Sequence, residues 1–536
     1  MRLSVRIALI LAISLVAVFS IHAHPGKIIG SIPIPCTTPT GLTFDGTNLW
    51  VADRLTDTLY AVNPENGEVN LKLPASGFIP RGLAFDGSYL WAIDAENGTI
   101  SQTDPESGIT INMFDAPTRS PQGLTWDGQY LWISDDREEA LCQISPEDGT
   151  TIKRFRAPMD YSTGLTFWNG YLWCGDRKED RIYLIDPYHE GEALFSIDAP
   201  GKHVRGLATD GEFLFCVDYQ DDLIYKLIIE DDEPIQVSDS HNLDLLLTHE
   251  FRNYGPGSIP ELNVYIAIPD NMANQKILSE PKFSLPYKVV KDRWEQPTAL
   301  FVLEKPAPAK RYFISMNVTA ELSKTRHFVF PHKVESLDKI PSKISKTYLV
   351  DEEKYRINDP LIVKAAQEAI DEETNPYWQM RNIHRYIRER LHYELSGGWN
   401  VAPRVLSRGN GSCSEYTFLF ISMCRSVGIP ARYVGAVVIR GDEASADEVF
   451  HRWSQVYLPG YGWVHIDPQG GDKDKPGQVA GSIGVISERF LITTVGGGNS
   501  DLLAWNYNYN AKWTAKGPVK VYSETVGEWS PAKVEE

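Results

Sequence analysis

Short alternations of apolar and polar residues, separated by Asp-Gly, Asn-Gly and proline-containing turns, fill the first part of the chain and predict strands, not helices. The alternation recurs with a fixed period. Units begin at Gly41, Gly82, Gly123, Gly164 and Gly206, spaced 41, 41, 41 and 42 residues apart, as in Gly41-Leu-Thr-Phe-Asp-Gly-Thr-Asn-Leu-Trp-Val-Ala-Asp53. Each unit holds four such segments, the pattern of a β-propeller blade. A turn glycine stands fifteen residues ahead of each later unit, at Gly67, Gly108, Gly149 and Gly191, and Gly26 stands equally far ahead of Gly41. Segment 27–35 is therefore a fourth strand with no blade before it, and the last unit, 206–229, lacks its fourth strand. A five-bladed β-propeller over 24–234, its fifth blade completed by the amino-terminal strand, hides both edges.

Two sets of equivalent positions in these repeats invite functional readings. Trp50, Trp91, Trp132, Trp173 and Phe215 could form a carbohydrate platform, but each lies mid-strand beside a leucine, which favours packing between blades. Asp53, Asp94, Asp135, Asp176 and Asp218 could hold a cation, but each ends a strand and suits capping of the following turn. The repeats resemble NHL-type propellers, a likeness of scaffold only. An acidic stretch ending in Pro234 reads as a linker. Beyond it, 235–345 shows strand alternations such as Leu262-Asn-Val-Tyr-Ile-Ala-Ile268 with proline-rich connections and no helical period, which predicts a β-sandwich.

The pattern then changes period. Apolar stripes over 359–370, 376–393 and 417–428 predict helices, and 450–457 and 462–468 predict two strands joined by the Pro459-Gly-Tyr-Gly turn. The third helix follows Gly409-Asn-Gly-Ser-Cys413, so Cys413 falls in its first turn, where unpaired N–H groups and the helix dipole favour a thiolate. The hairpin sets His451 and Asp467 on neighbouring strands. A thiol, an imidazole to take its proton and a carboxylate to fix the imidazole tautomer make a nucleophilic set. His384 and His392 fall outside any such grouping, and His465, which shares a strand face with Asp467, is the residue most easily mistaken for the base.

The strings G-S-C-S-E-Y-x-F-L-F, C-R-S-V-G-I-P-A-R-Y, H-R-W-S-Q-V-Y and G-Y-G-W-V-H-I-D-P resemble the transglutaminase-like superfamily, a papain-like cysteine fold, over about 346–515. The resemblance implies an α+β papain-like catalytic domain over 346–536, with Cys413 as nucleophile, His451 as general base and Asp467 as orienting acid. It implies chemistry at amide bonds through a thioester, released by water as in a peptidase or deamidase, or by an amine as in a transglutaminase. Gln455 departs from the pattern, standing where many relatives carry a carboxylate.

Composition narrows the setting. The 536 residues are 42% hydrophobic and 11% aromatic, which suits several folded domains. A net charge of −19 disfavours nucleic acid and anionic membranes as partners. Arg2 and Arg6 followed by the apolar run 7–21 and Ala23 read as a signal peptide over 1–23, with no span in the mature chain. The expectation is a secreted or periplasmic cysteine enzyme, with no cofactor and no metal. Its substrate would be a protein or peptide, cell-wall peptide included, and its propeller would recognise an unknown partner. The alternative is a non-catalytic binding protein of the cell envelope that uses the propeller. Of the six cysteines, Cys174 and Cys216 occupy equivalent strand positions and read as core, while Cys36 and Cys142 carry no assignment.

Overall fold

The computed structural model describes residues 24–395 and 398–532; the expected signal segment 1–23 lies outside them. Residues 28–228 form five four-stranded antiparallel sheets. The orphan strand is Ile28–Pro33, and it pairs with Leu223–Ile228 of the last repeat, Ser31 opposite Tyr225. The repeat glycines have a steric cause. A Cβ on Gly41 would lie 2.0 Å from the Arg81 carbonyl oxygen, and on Gly82 2.4 Å from the Leu124 nitrogen. Gly123 and Gly164 stand in the same relation to Thr163 and Leu207, and Gly206 meets Leu42 of the first sheet at 2.6 Å. Each inner strand thus lies backbone to backbone on the next, which no side chain at that position would permit.

The equivalent tryptophans are at most 2% exposed, which removes them from any ligand platform. Trp50, Trp91 and Trp132 each donate Nε1–H to the aspartate five residues before, Asp45, Asp86 and Asp127, at 2.7–2.8 Å. The fourth repeat carries Trp168 at that place, and Trp173 Nε1 is left buried without a partner. The second set of aspartates caps turns: Asp135 Oδ1 accepts from the nitrogens of Arg137 and Glu138, and Asp176 Oδ1 from those of Lys178 and Glu179.

The middle region builds two antiparallel sheets, one around Ile235–Ser258 and Arg311–His327, the other around Glu261–Ala267 and Pro297–Glu304. Leu245, Leu247, Val264, Ile266 and Phe301 belong to one buried core between and beyond them. The helices that follow residue 341 do not end the contribution of the chain to these sheets. The chain returns at its end: Tyr509–Trp513 pairs with Glu261–Ala267, and Lys516–Pro531 runs along Ile235–Ser258 from Ser258↔Lys516 to Leu243↔Pro531. The reason lies in the open edge of Ile235–Ser258, a long strand whose backbone groups need a partner on both sides.

The α+β region comprises the helices Pro360–Ile370, Pro376–Arg390, Ala402–Arg408 and Cys413–Ser426, and a sheet in the order Gly462–Ile466, His451–Leu458, Ala431–Val438, Phe490–Gly496. The second helix stops at Arg390, three residues short of the expected end, because Leu391 turns extended and His392–Tyr393 pairs with Asn410–Gly411. This region is seated on the fourth repeat sheet. Arg381, 2% exposed, pairs with Glu192, and the His189 and Trp378 rings stack at 3.8 Å. Among the described residues no helix is long and apolar enough to cross a membrane.

Candidate active site

The helix Cys413–Ser426 is buried throughout its length up to Arg425, so its first residue is delivered from inside the molecule, not from a surface loop. Its start is fixed by a capping box between Ser412 and Glu415. Glu415 is fully buried and also accepts from Asn400 Nδ2 at 2.9 Å and Arg408 Nη2 at 2.9 Å, which ties the preceding loop and helix to the same carboxylate. Cys413 itself is 7% exposed and opens into a cleft of about 360 Å³ lined by Tyr393, Arg440, Phe450, His451, Asp467 and Arg489.

His451 opens the strand His451–Leu458, and Asp467 directly follows Gly462–Ile466, its hairpin partner. His451 Nε2 lies 2.9 Å from Asp467 Oδ2, which leaves Nδ1 for the Cys413 thiol. Asp467 is in turn oriented by the Gly470 nitrogen at 2.9 Å and the Gln469 nitrogen at 3.2 Å, both donating to Oδ1. The structure thus brings the three sequence-predicted residues to one cleft.

The electrostatics of the three groups are linked. Burial opposes charge on His451, yet the adjacent Asp467 carboxylate, with help from Cys413, raises its pKa to about 10. Burial likewise opposes ionisation of Cys413, but the hydrogen bond and charge of His451, then the backbone and charge of Arg452, bring the thiol below its ordinary value. Burial raises and His451 lowers the pKa of Asp467, and the net direction is down. The other cysteines go the opposite way: burial pushes Cys36 and Cys174 up to about 12, Cys142 to about 11, and Cys216 and Cys424 up as well.

His465 is occupied elsewhere. Its Nδ1 accepts from Trp453 Nε1 at 2.8 Å, Gln455 covers its Nε2 at 2.6 Å, and burial lowers its pKa to about 3. Gln455 spans His465 and Arg432, whose Nε donates to Gln455 Oε1 at 2.7 Å, so it is engaged nearer the hairpin turn, four residues along the strand from His451. His384 is buried beneath Gly471, its pKa lowered to about 4 by burial and nearby arginines.

Sequence reasoning missed two features at and behind the cleft: Phe450 held by Asp447, and Arg452. Phe450, directly before His451, has φ of 61°, a costly conformation for a bulky side chain. Asp447 holds it there. Fully buried, its carboxylate accepts from the nitrogens of Phe450 at 2.9 Å, Val449 at 3.2 Å and Val438 at 2.7 Å, and from Arg440 Nε at 3.0 Å. An aspartate four residues before the histidine was the only signal. Arg452 is the second: wholly buried, it lies 4.3–5.2 Å from the rings of Tyr507, Tyr433, Phe418 and Trp399, which pack around this cation.

Residues 363–468 match the family model of the transglutaminase-like superfamily, so the α+β region on the carboxyl-terminal side is similar to that superfamily from its first helices through Asp467. An uncharacterized protein of Haemophilus influenzae is 23% identical over 243 residues, 39% of this chain and 64% of that relative, so the chain spans less than two thirds of the relative's length. Among solved structures, glutaminyl cyclase of Myxococcus xanthus is 18% identical with a TM-score of 0.35, over 38% of this chain and 97% of its own. A proposed cysteine protease of Cytophaga hutchinsonii is 13% identical with a TM-score of 0.39, over 55% of this chain and 100% of its own.

Proposed function

We propose that the chain is an exported cysteine enzyme that breaks amide bonds of peptides or glutamine side chains, with Cys413 as nucleophile, His451 as general base and Asp467 as its orienting partner. The observation that carries this reading is the imidazole held by Asp467 at 2.9 Å beside a thiol at the start of a buried helix. Cys413 gives its proton to His451 Nδ1, and Sγ attacks the amide carbonyl carbon. First-turn N–H groups, which lack intrahelical acceptors, are placed to receive the oxyanion. The C–N bond then breaks, the leaving amine or ammonia takes the proton from His451, and a thioester remains on Sγ. Water or a primary amine, deprotonated by His451, attacks the thioester and restores the thiol.

In this reading the five sheets form a closed five-bladed propeller that recognises a partner or substrate, and the two middle sheets form a β-sandwich that joins it to the enzyme domain. Support for the ring comes from Gly206 of the last sheet lying against Leu42 of the first. The test is incubation of the mature protein with a peptide library and a primary amine, read by mass. Products carrying water or the amine in place of the leaving group, absent with Cys413→Ala, are expected; no product of either kind overturns the proposal.

A further inference from the structure

We propose that the mouth at which the five inner strands meet is a binding site for a polycarboxylate ligand, an acidic peptide segment gripped by Arg81, Arg177 and Arg205. This names the partner chemistry for the recognition role proposed above and rests on that reading of the five sheets.

The residue before each repeat glycine stands at the same place on its inner strand, and two of these five positions are arginines, Arg81 and Arg205. Equivalents in neighbouring sheets touch across the mouth: Arg81 Nη1 donates to Gln122 Oε1 at 2.6 Å. A second tier follows the turn-capping aspartates and adds Arg54 and Arg177. The guanidinium groups of Arg81, Arg177 and Arg205 therefore line one opening of a molecule whose net charge is −19, and Arg54 is near enough to repel Arg81 and Arg205. Asp136, 3.8 Å from Arg177, is the carboxylate paired within the cluster among the described residues. The rim carboxylates Glu139 and Asp160 are already engaged, with Arg156 and Lys475.

The cluster works against folding. The Nε atoms of Arg81 and Arg205 are buried with no hydrogen-bond partner, and burial together with mutual repulsion lowers the pKa of both groups. Buried donors without acceptors and like charges in one place are each unfavourable, and a feature of that kind is expected where a ligand supplies the missing partner. The space for it exists. A depression of about 540 Å³ beside Arg81, Gln122 and Arg177 adjoins one of about 410 Å³ beside Arg177 and Arg205, and the two share Tyr161.

Planar guanidinium forks match carboxylates bidentately, and several forks around one opening call for several carboxylates on one molecule. Tyr161 and Tyr219, both partly exposed, lie under Arg177 and Arg205 at 5.4 and 5.7 Å and give the opening flat apolar walls, which suit a peptide chain better than a lone inorganic anion. The mouth also has a physical tie to the enzyme domain. Lys475, on the loop that follows Asp467, is the partner of Asp160 on the rim, and Gly477 donates to the Pro158 carbonyl at 3.1 Å. An occupant of the mouth would sit on the face that anchors the Asp467 loop.

The test is calorimetric titration of the full chain with hexaglutamate at low ionic strength, with hexalysine and inorganic phosphate as comparison ligands. Hexaglutamate is expected to bind one to one and to weaken as salt rises. Arg81→Gln and Arg205→Gln should each weaken it by about tenfold or more, since each removes charge-assisted hydrogen bonds. Arg311→Gln, at a side chain 55% exposed on the middle-sheet strand Arg311–His327, should leave binding unchanged. The melting temperature of the two mouth variants should hold or rise, because a repelling, unsatisfied cation is gone; should either fail to fold, Arg177→Gln, 34% exposed, replaces it. No binding, equal loss with Arg311→Gln, or phosphate bound as tightly as hexaglutamate would each overturn the proposal. The titration does not involve Cys413. Failure here with reactive Cys413 intact removes the recognition site and leaves the enzyme reading standing.

Discussion

His451 is asked to carry charge in a place that penalises it. Its side chain is 13% exposed, and only the carboxylate on one side and the thiol on the other make the imidazolium favourable. The sign of the pH dependence follows. His451 in the folded chain titrates near 10, above the ordinary value near 6.5, so its contribution to stability is complete below about 6.5 and is lost as pH climbs through 10. Asp467 is lowered, so its contribution is present above about 3.9 and lost as pH falls. The site is therefore most cohesive between those limits. Asp447 decides whether His451 is in position at all, since it fixes the φ of 61° at Phe450. Asp447→Asn keeps the shape but removes the charge that pairs with Arg440 and one of the acceptor oxygens. We expect kcat to fall by about tenfold or more with KM little changed, and the pH profile of Cys413 alkylation to move upward, as for a misplaced positioning group. An unchanged profile together with unchanged kcat would show that Asp447 only supports the fold.

At the scale of elements, the strand Ile28–Pro33 joins the first residues described to the last repeat through an antiparallel pairing with Leu223–Ile228. Deletion of residues 24–36 would leave the edge of Leu223–Ile228 open and is expected to lower solubility or abolish the melting transition of the repeat region. A deleted protein that melts like the intact one would contradict this pairing as the keystone of the repeats. The repeats were legible because their determinants are local: a glycine wherever two inner strands touch, and an aspartate wherever a turn needs a cap. The meeting of Cys413, His451 and Asp467 in one cleft was legible for the same reason, since each sits at an element end that its own neighbours define. Other features were not local. The return of Lys516–Pro531 to Ile235–Ser258 depends on an edge more than 250 residues away, a separation no window of sequence contains. The loop 469–477 is held by Lys475 on Asp160 and by Gly477 on Pro158, contacts set by packing between distant segments.

The whole molecule is more closely integrated than a string of domains. Buried Arg381 needs Glu192 of the fourth repeat sheet, Ala480 packs into the core of that sheet, and Trp529 of the last strand donates to the Val438 carbonyl at 3.0 Å. The same final strand pairs Gly527 with Asp447, so the middle sheets reach the segment that positions His451. Arrangement and chemistry thus meet at one place: the loop that orients Asp467 and the loop that orients His451 are each anchored to a different neighbour.

The central claim is that Cys413 is a thiolate made by His451, and iodoacetamide labelling at about pH 6, mapped by mass spectrometry, tests it most directly. Ordinary thiols titrate near about 8.5 and react little there. Cys413 should label first while the five thiols raised by burial stay unmodified. His451→Ala should slow that labelling by about tenfold or more, Asp467→Asn should slow it less, and His465→Ala should leave it near the original rate. Labelling of another cysteine ahead of Cys413, or a Cys413 rate that survives His451→Ala but collapses with His465→Ala, would contradict the account.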